Sequence, residues 1–233
     1  MVQEILAKKV VVKPLDHKPN IIVGLDVSYD KNNRKGFAAA VAVDIRDLKV
    51  VDLSIVSSEI SFPYIPGYLA FREAPLMFKA FLRLRNKDNT IIMVNGHGIA
   101  HPRGLGIASH IGVVLNRPSI GVAKRLLVGE VSRIGGREVI IYNNRVVGIV
   151  VSSEKSKDKY YVTIGHKVSI EDLEYYIERT FNQRYRRSKP PYPIYLADKI
   201  SREAARGIES LYKWSTSRKH IFDESLDTRF ISL

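Results

Sequence analysis

The chain has 233 residues and no cysteine, which excludes disulfides, thiolate metal sites and a thiol nucleophile. Lys and Arg number 37 against 24 Asp and Glu, a formal charge of +13 that attracts polyanions and above all nucleic acid. No apolar run approaches the roughly 20 residues of a membrane span and no secretion signal opens the chain, so a cytoplasmic protein without membrane contact is expected.

Residues Met1 to Asn20 carry mixed charges and two prolines and predict an adapter or frayed helix. Ile21 to Ser28, Phe37 to Ile45 and Lys49 to Ser57 are apolar β-rich runs. Their connections, Tyr29 to Gly36 and Arg46 to Leu48, are short and polar, which predicts an antiparallel meander. In Phe62-Pro63-Tyr64-Ile65-Pro66-Gly67, two prolines and a glycine exclude regular structure and stiffen the backbone. A helix is predicted from Tyr68 to Arg85, kinked at Pro75 or restarting just after Glu73.

Ile91 to Val94, a glycine-rich loop, a periodic segment from Leu105 to Leu115 and the run Pro118 to Val122 then predict a βαβ unit. Chemistry in such units sits at the carboxyl end of the strand, here Asn95, Gly96, His97 and Gly98. Glu130 to Ile141 and Arg145 to Ser153 read as further strands, with Gly135-Gly136 and Asn143-Asn144 as turns. Ser169 with Asp172 starts a helix carrying Leu173, Tyr176, Ile177 and Phe181 on one face. A basic, proline-rich stretch from Arg184 to Pro193 leads into an amphipathic segment from Ile194 to Ile208, and a tail from Ser215 has no clear period. Three antiparallel strands followed by a βαβ unit is the order of the ribonuclease H-like fold, an α/β mixed sheet flanked by helices. A single domain is expected over residues 1–214, with 215–233 as the tail.

Asp26 lies inside an apolar strand, where an unpaired carboxylate costs several kcal/mol unless a cation or hydrogen bonds compensate it. Alone it reads equally as an acceptor for a neighbouring strand or arginine, Glu73 as a first-turn carboxylate and Asp198 as a solvated helix residue. Converging at the end of the Ile91 strand, the three would hold Mg²⁺ or Mn²⁺, because hard cations take oxygen ligands. The consequence would be hydrolysis of a phosphodiester. Glycines 96, 98, 104 and 106 fit a tight turn and would leave bare amides for a ligand. His97, His101 and His110 match no zinc spacing.

Gly24-Leu25-Asp26-Val27-Ser28, the Phe62 to Gly67 run with Phe71-Arg72-Glu73, Gly96-His97-Gly98-Ile99-Ala100-His101-Pro102-Arg103 with Gly106-Ile107-Ala108-Ser109-His110, and Gly121-Val122-Ala123-Lys124 together resemble the endonuclease V family. The resemblance spans about residues 20 to 200 and leaves out the tail. It implies a Mg²⁺-dependent endonuclease, with Mn²⁺ as substitute, that cuts the second phosphodiester 3′ to deoxyinosine in DNA or inosine in RNA. It implies Asp26 as a direct metal ligand, Glu73 as holder of metal-associated water, Asp198 at a variable position near a second metal, and Lys124 at the phosphate. Tyr64 would fill the gap left by an extruded base. The base pocket would gather Leu69, Gly96, Gly98, His101, Ile107 and Leu127, with backbone amides reading hypoxanthine's acceptors. A monomer is expected.

One position departs from the family pattern: Asn95 stands where the family has an aspartate. An amide oxygen ligates weakly and brings no charge, so metal affinity and turnover should fall. An engineered inactive form is favoured over a natural binding-only homologue, and an inosine-specific ribonuclease is the other alternative.

Overall fold

The computed structural model describes residues 2–152, 158–181 and 190–207. Strands β1 (Ile21–Tyr29), β2 (Lys35–Asp44) and β3 (Lys49–Glu59) form the antiparallel meander, and β4 (Thr90–Asn95) and β5 (Ser119–Ala123) continue it in parallel from β1. With β6 (Glu130–Ile134), β7 (Arg137–Tyr142), β8 (Arg145–Ser152) and β9 (Lys159–His166), one sheet runs β3-β2-β1-β4-β5-β9-β8-β7-β6 among the described residues. This is the ribonuclease H-like mixed sheet. Its helices are α1 (Val2–Ala7), α2 (Leu69–Arg83), α3 (Ile107–Leu115), α4 (Ile170–Thr180) and α5 (Tyr192–Arg206).

Strand alternation on β1 divides the core. Val23, Leu25 and Val27 pack beneath α2 and α3 with Met77, Phe81 and Ile111. Ile22 turns to the other face, where Leu173 and Tyr176 of α4 close the core, and Leu196, Ala197 and Ile200 of α5 cover β2. Helix α5 lies close over Gly24: a Cβ there would lie 2.2 Å from the Pro193 carbonyl oxygen. No other residue lets the helix settle on β1.

Four elements differ from the sequence reading. Strand β9, between β5 and β8, was not foreseen, although Tyr160-Tyr161-Val162-Thr163-Ile164 carries the β-branched and aromatic signal. Helix α2 runs unbroken through Pro75 instead of restarting after Glu73, with the proline on its exposed side, so the helical bond that its missing N–H removes is lost where the helix faces solvent. Helix α3 begins at Ile107 instead of Leu105, since the Gly106 amide is used to close the preceding loop on the Gly98 carbonyl. Helix α5 begins at Tyr192, with Pro193 in its first turn, where a fixed φ is helical already. Most of the basic stretch from Arg184, the Ile208 end of the last segment and the tail from Ser215 lie outside the described residues. No helix among the described residues is long and apolar enough to cross a membrane.

Candidate active site

Asp26 lies on the α5 face of β1, only 5% exposed. Parallel pairing sets Leu25 opposite Val94, so the next residues, Asp26 and Asn95, lie side by side where β4 ends. The Asn95 amide Nδ2 donates to Asp26 Oδ1 at 2.7 Å, and Ser201 Oγ of α5 donates to Asp26 Oδ2 at 2.6 Å. Ser28 Oγ lies 2.8 Å from the same Ser201 oxygen. Pro193 over Gly24 and Ser201 over Asp26 and Ser28 show why: eight helical residues rise about 12 Å and four extended residues about 13 Å, so α5 and β1 keep step. Burial pushes the Asp26 carboxyl up to about 6, against the pull of the two donors, and Asp198 adds to the rise.

Glu73 reaches the same end of the sheet from α2 and is 8% exposed. Tyr29, on the α2 face of β1, donates its hydroxyl to Glu73 Oε1 at 2.8 Å. Arg72 Nε donates in turn to the Tyr29 oxygen at 3.1 Å, its guanidinium lying over the Tyr29 ring, while its Nη1 holds the Phe62 carbonyl at 2.7 Å. Burial pushes Glu73 up to about 7, and the charge of Asp26 contributes. Desolvation raises both carboxyls, with Asp198 adding to the rise at Asp26 and Asp26 to the rise at Glu73, and the charges of Arg202 and Arg72 only partly offset it.

Asp198 is electrostatically close to Asp26, but its Oδ1 pairs with Arg202 at 2.8 Å. Among the described residues, no three of His, Cys, Asp and Glu stand close enough to cage a metal. The oxygen chemistry of Asp26 and Glu73 fits a hard divalent cation, with the third protein donor falling to Asn95. As placed, Asn95 turns its NH₂ towards Asp26 and occupies one carboxylate oxygen, so the set is weaker than three carboxylates. His97, His101 and His110 form no metal cluster either, and His110 packs edge-on to Phe71 instead.

The loop after β4 is held from within. Gly96, at φ +155°, leaves no room for a Cβ beside Ile107 Cγ2, 2.4 Å away. A Cβ on Gly98 would lie 1.8 Å from the Ile164 carbonyl oxygen of β9. Their amides are engaged: Gly96 N–H bonds the Val122 carbonyl at 2.7 Å and Gly98 N–H bonds Thr163 Oγ1 at 2.8 Å. The Gly104 and Gly106 amides bond the His101 and Gly98 carbonyls, so the expectation of bare donors is corrected at all four glycines. His97 Nε2 meets the Arg125 carbonyl at 2.8 Å, joining this loop to the segment that bears exposed Lys124 and Leu127.

His101 is buried, with Nδ1 accepting from the Arg103 amide at 3.2 Å, and Ile107 is buried at the start of α3. Leu69 is half-buried at the start of α2, whereas Tyr64 and Leu127 stand 67% and 50% exposed. The structure thus places Asp26, Glu73 and Asn95 at one end of the sheet with the glycine loop beside them, and Asp198, expected to converge there too, stands near Asp26 but paired with Arg202. The sequence reading missed Ser201, Tyr29 and Arg72. Ser201 could have been found one helical turn beyond Asp198. A cleft lined by Lys13, His17, Thr90, Arg117 and Lys167 lies at the opposite end of β4, about 17 Å away along the strand.

The family model described as Endonuclease V matches residues 4–199. Endonuclease V of Ignicoccus hospitalis is 42% identical over 186 residues, 80% of this chain and 83% of that protein. The crystal structure of endonuclease V from Streptomyces avermitilis aligns with a TM-score of 0.78 at 32% identity, covering 88% of this chain and 90% of that one. That of Ciona intestinalis endonuclease V, in complex with a 24mer DNA containing an inosine followed by a ribo-adenosine, aligns with a TM-score of 0.76 at 26% identity, covering 89% and 96%.

Proposed function

The chain belongs to the endonuclease V family, and from that premise we propose that it recognises deoxyinosine in DNA, or inosine in RNA, and hydrolyses the second phosphodiester 3′ to it with Mg²⁺ or Mn²⁺. The observation that supports this best is the meeting of Asp26, Asn95 and Glu73 beside a glycine loop at the carboxyl end of β4.

Asp26 and Glu73 would hold the cation, with Ser201 and Tyr29 fixing their carboxylates. When bound, the ion supplies Lewis acidity, acidifying the attacking water and offsetting charge on the departing oxygen. Lys124, exposed just past β5, would take the phosphate beside the cut, and Asp198 would stand at the rim of the site. Tyr64, on its stiff proline loop, would stack into the gap of the extruded base. Leu69, His101, Ile107 and Leu127 would line the base pocket, to which Gly96 and Gly98, their amides engaged, offer bare wall rather than donors. The same reading takes the protein as a cytoplasmic monomer with its nuclease domain ending near residue 214.

A second reading, an inosine binder that scarcely cuts, is favoured by the hydrogen bond from Asn95 to Asp26. Nicking of a duplex with one deoxyinosine in Mg²⁺, for this chain and for Asn95→Asp, separates the two. Strong gain in the substituted form supports the metal set, and equal activity removes Asn95 from it. Competition between matched inosine DNA and RNA oligonucleotides assigns the preferred strand.

A further inference from the structure

Helix α1 is short and presents Val2 and Ile5 to solvent, yet its Gln3 is 3% exposed. The side chain of Gln3 is fully committed. Its Nε2 donates to the carbonyls of Gly67, at 3.2 Å, and Leu105, at 3.0 Å, while its Oε1 accepts from Arg103 Nε at 2.5 Å. Arg103 Nη2 closes the set on the Gly67 carbonyl at 2.7 Å, with the guanidinium 4.3 Å from the Tyr68 ring centroid. Two donors and an acceptor fix the amide's orientation, because a flip would set oxygen against two carbonyls and NH₂ against a cation.

Gly67 and Leu105 lie 38 residues apart in the chain, and Gln3 joins the segments that end at them. Gly67 closes the proline loop that carries Tyr64, and it sits at φ +81° where an added Cβ would meet Arg103 Nη2 at 2.7 Å. Leu105 ends the glycine loop, one residue before Gly106 bonds back to Gly98. The two connections are thereby tied by a residue from α1, and a rotation of either loop breaks hydrogen bonds to a side chain that is itself only 3% exposed.

We propose that Gln3 is a positioning residue for base recognition: it locks the Tyr64 loop to the glycine loop, so that discrimination between inosine and adenosine depends on it. The proposal rests on the reading of the chain as an inosine-directed endonuclease. Gln3 touches neither the carboxylate cluster nor any expected ligand; it acts through Gly67, Leu105 and Arg103. In this arrangement Gln3 sets the distance between the intercalating ring and the base wall. Loss of the tie leaves general electrostatic affinity for nucleic acid intact, because that derives from the basic surface.

The test compares the full chain with Gln3→Met, which keeps length and apolar bulk, and Gln3→Ala. Two measurements are made, without metal so that no cleavage intervenes: amide hydrogen exchange across residues 62–68, and anisotropy of a labelled duplex carrying one deoxyinosine against its adenine counterpart. Both variants are expected to exchange faster at Tyr64 to Tyr68 than the parent, with β1 and β4 unchanged. Preference for deoxyinosine should fall about tenfold, the loss of about 1.4 kcal/mol, while affinity for the adenine duplex holds. Unchanged loop exchange overturns the tie. Faster exchange with preference intact overturns its role in recognition, as does an equal loss of affinity for both duplexes. A parent chain that makes no distinction between the duplexes sinks the substrate reading alone, and the exchange measurement still decides whether Gln3 holds the loops.

Discussion

The Asn95 amide donates to Asp26 at 2.7 Å across two parallel strands, so a neutral donor stands beside a carboxyl that burial has already pushed up to about 6. Replacing that donor with a carboxylate removes a hydrogen bond and adds a like charge. Asn95→Asp is therefore expected to lower metal-free stability by about 1–3 kcal/mol at neutral pH. Millimolar Mg²⁺ should recover the loss, because a cation that binds only the folded state stabilises it by mass action. Thermal melts of both forms with and without Mg²⁺ test this. A variant that gains no more from Mg²⁺ than the parent would show that position 95 does not face the ion.

Ser201 connects Asp26 to Ser28, and its removal leaves Asp26 Oδ2 and Ser28 Oγ without that partner. Ser201→Ala is expected to cost about 1–3 kcal/mol at pH 8. The hydroxyl favours the charged carboxylate, so its loss raises Asp26 further. Asp26 is protonated in the folded protein below about 6, and the cost of the substitution should shrink as pH falls through that value. Denaturant unfolding at pH 8 and pH 5 provides the comparison. A cost that does not change with pH would assign Ser201 to packing alone.

The meander, the parallel unit and the capping box at Ser169 were legible because alternation, β-branching and capping are local signals. Asp26 stood out for the same reason, a carboxylate inside an apolar run. Ser201, Tyr29 and Gln3 did not, because each is ordinary in its own segment and acquires its role only from partners 175, 44 and 64 residues away. The glycines were visible as residues, but what they allow was not. Whether the Gly96 and Gly98 amides face a ligand or the Val122 carbonyl and Thr163 depends on how β5 and β9 lie against the loop. Strand β9 was overlooked despite a strong local pattern.

Gly98 makes the closest approach in that loop: a Cβ would stand 1.8 Å from the Ile164 carbonyl oxygen. The atoms the Cβ would meet are all backbone, the Ile164 carbonyl and the Gly165 Cα, so Gly98→Ala has to displace main chain of β9. A loss of about 3 kcal/mol or more is expected, at or beyond the upper range for overpacking. Gly104→Ala is the control. Gly104 has φ +65° with open space where the Cβ would go, so only the cost of a left-handed alanine applies, about 1 kcal/mol. Similar losses in the two variants would mean that β9 does not press on the loop.

His166 is 3% exposed, its Nδ1 accepts from the Val11 amide at 3.1 Å, and burial with Lys167 alongside pushes it down to about 4. The unfolded histidine titrates near 6.5. Between those values the unfolded chain takes up a proton that the folded one refuses, so this group's share of stability is complete above about 6.5 and is lost as pH falls towards 4. Burial shifts His97, His101 and His110 in the same direction. Asp26 and Glu73, raised to about 6 and about 7, oppose them: the folded state holds protons there that the unfolded chain has released, which favours folding as pH falls. The parent chain should accordingly show a shallower pH profile than either group dictates. His166→Asn keeps an acceptor for Val11 but cannot take a proton. It should lose stability at pH 7.5 and recover up to about 1.4 kcal/mol relative to the parent for each pH unit between 6.5 and 4.5. Urea unfolding of both proteins across that interval gives the difference directly, and a constant offset would mean that His166 titrates alike in the folded and unfolded chains.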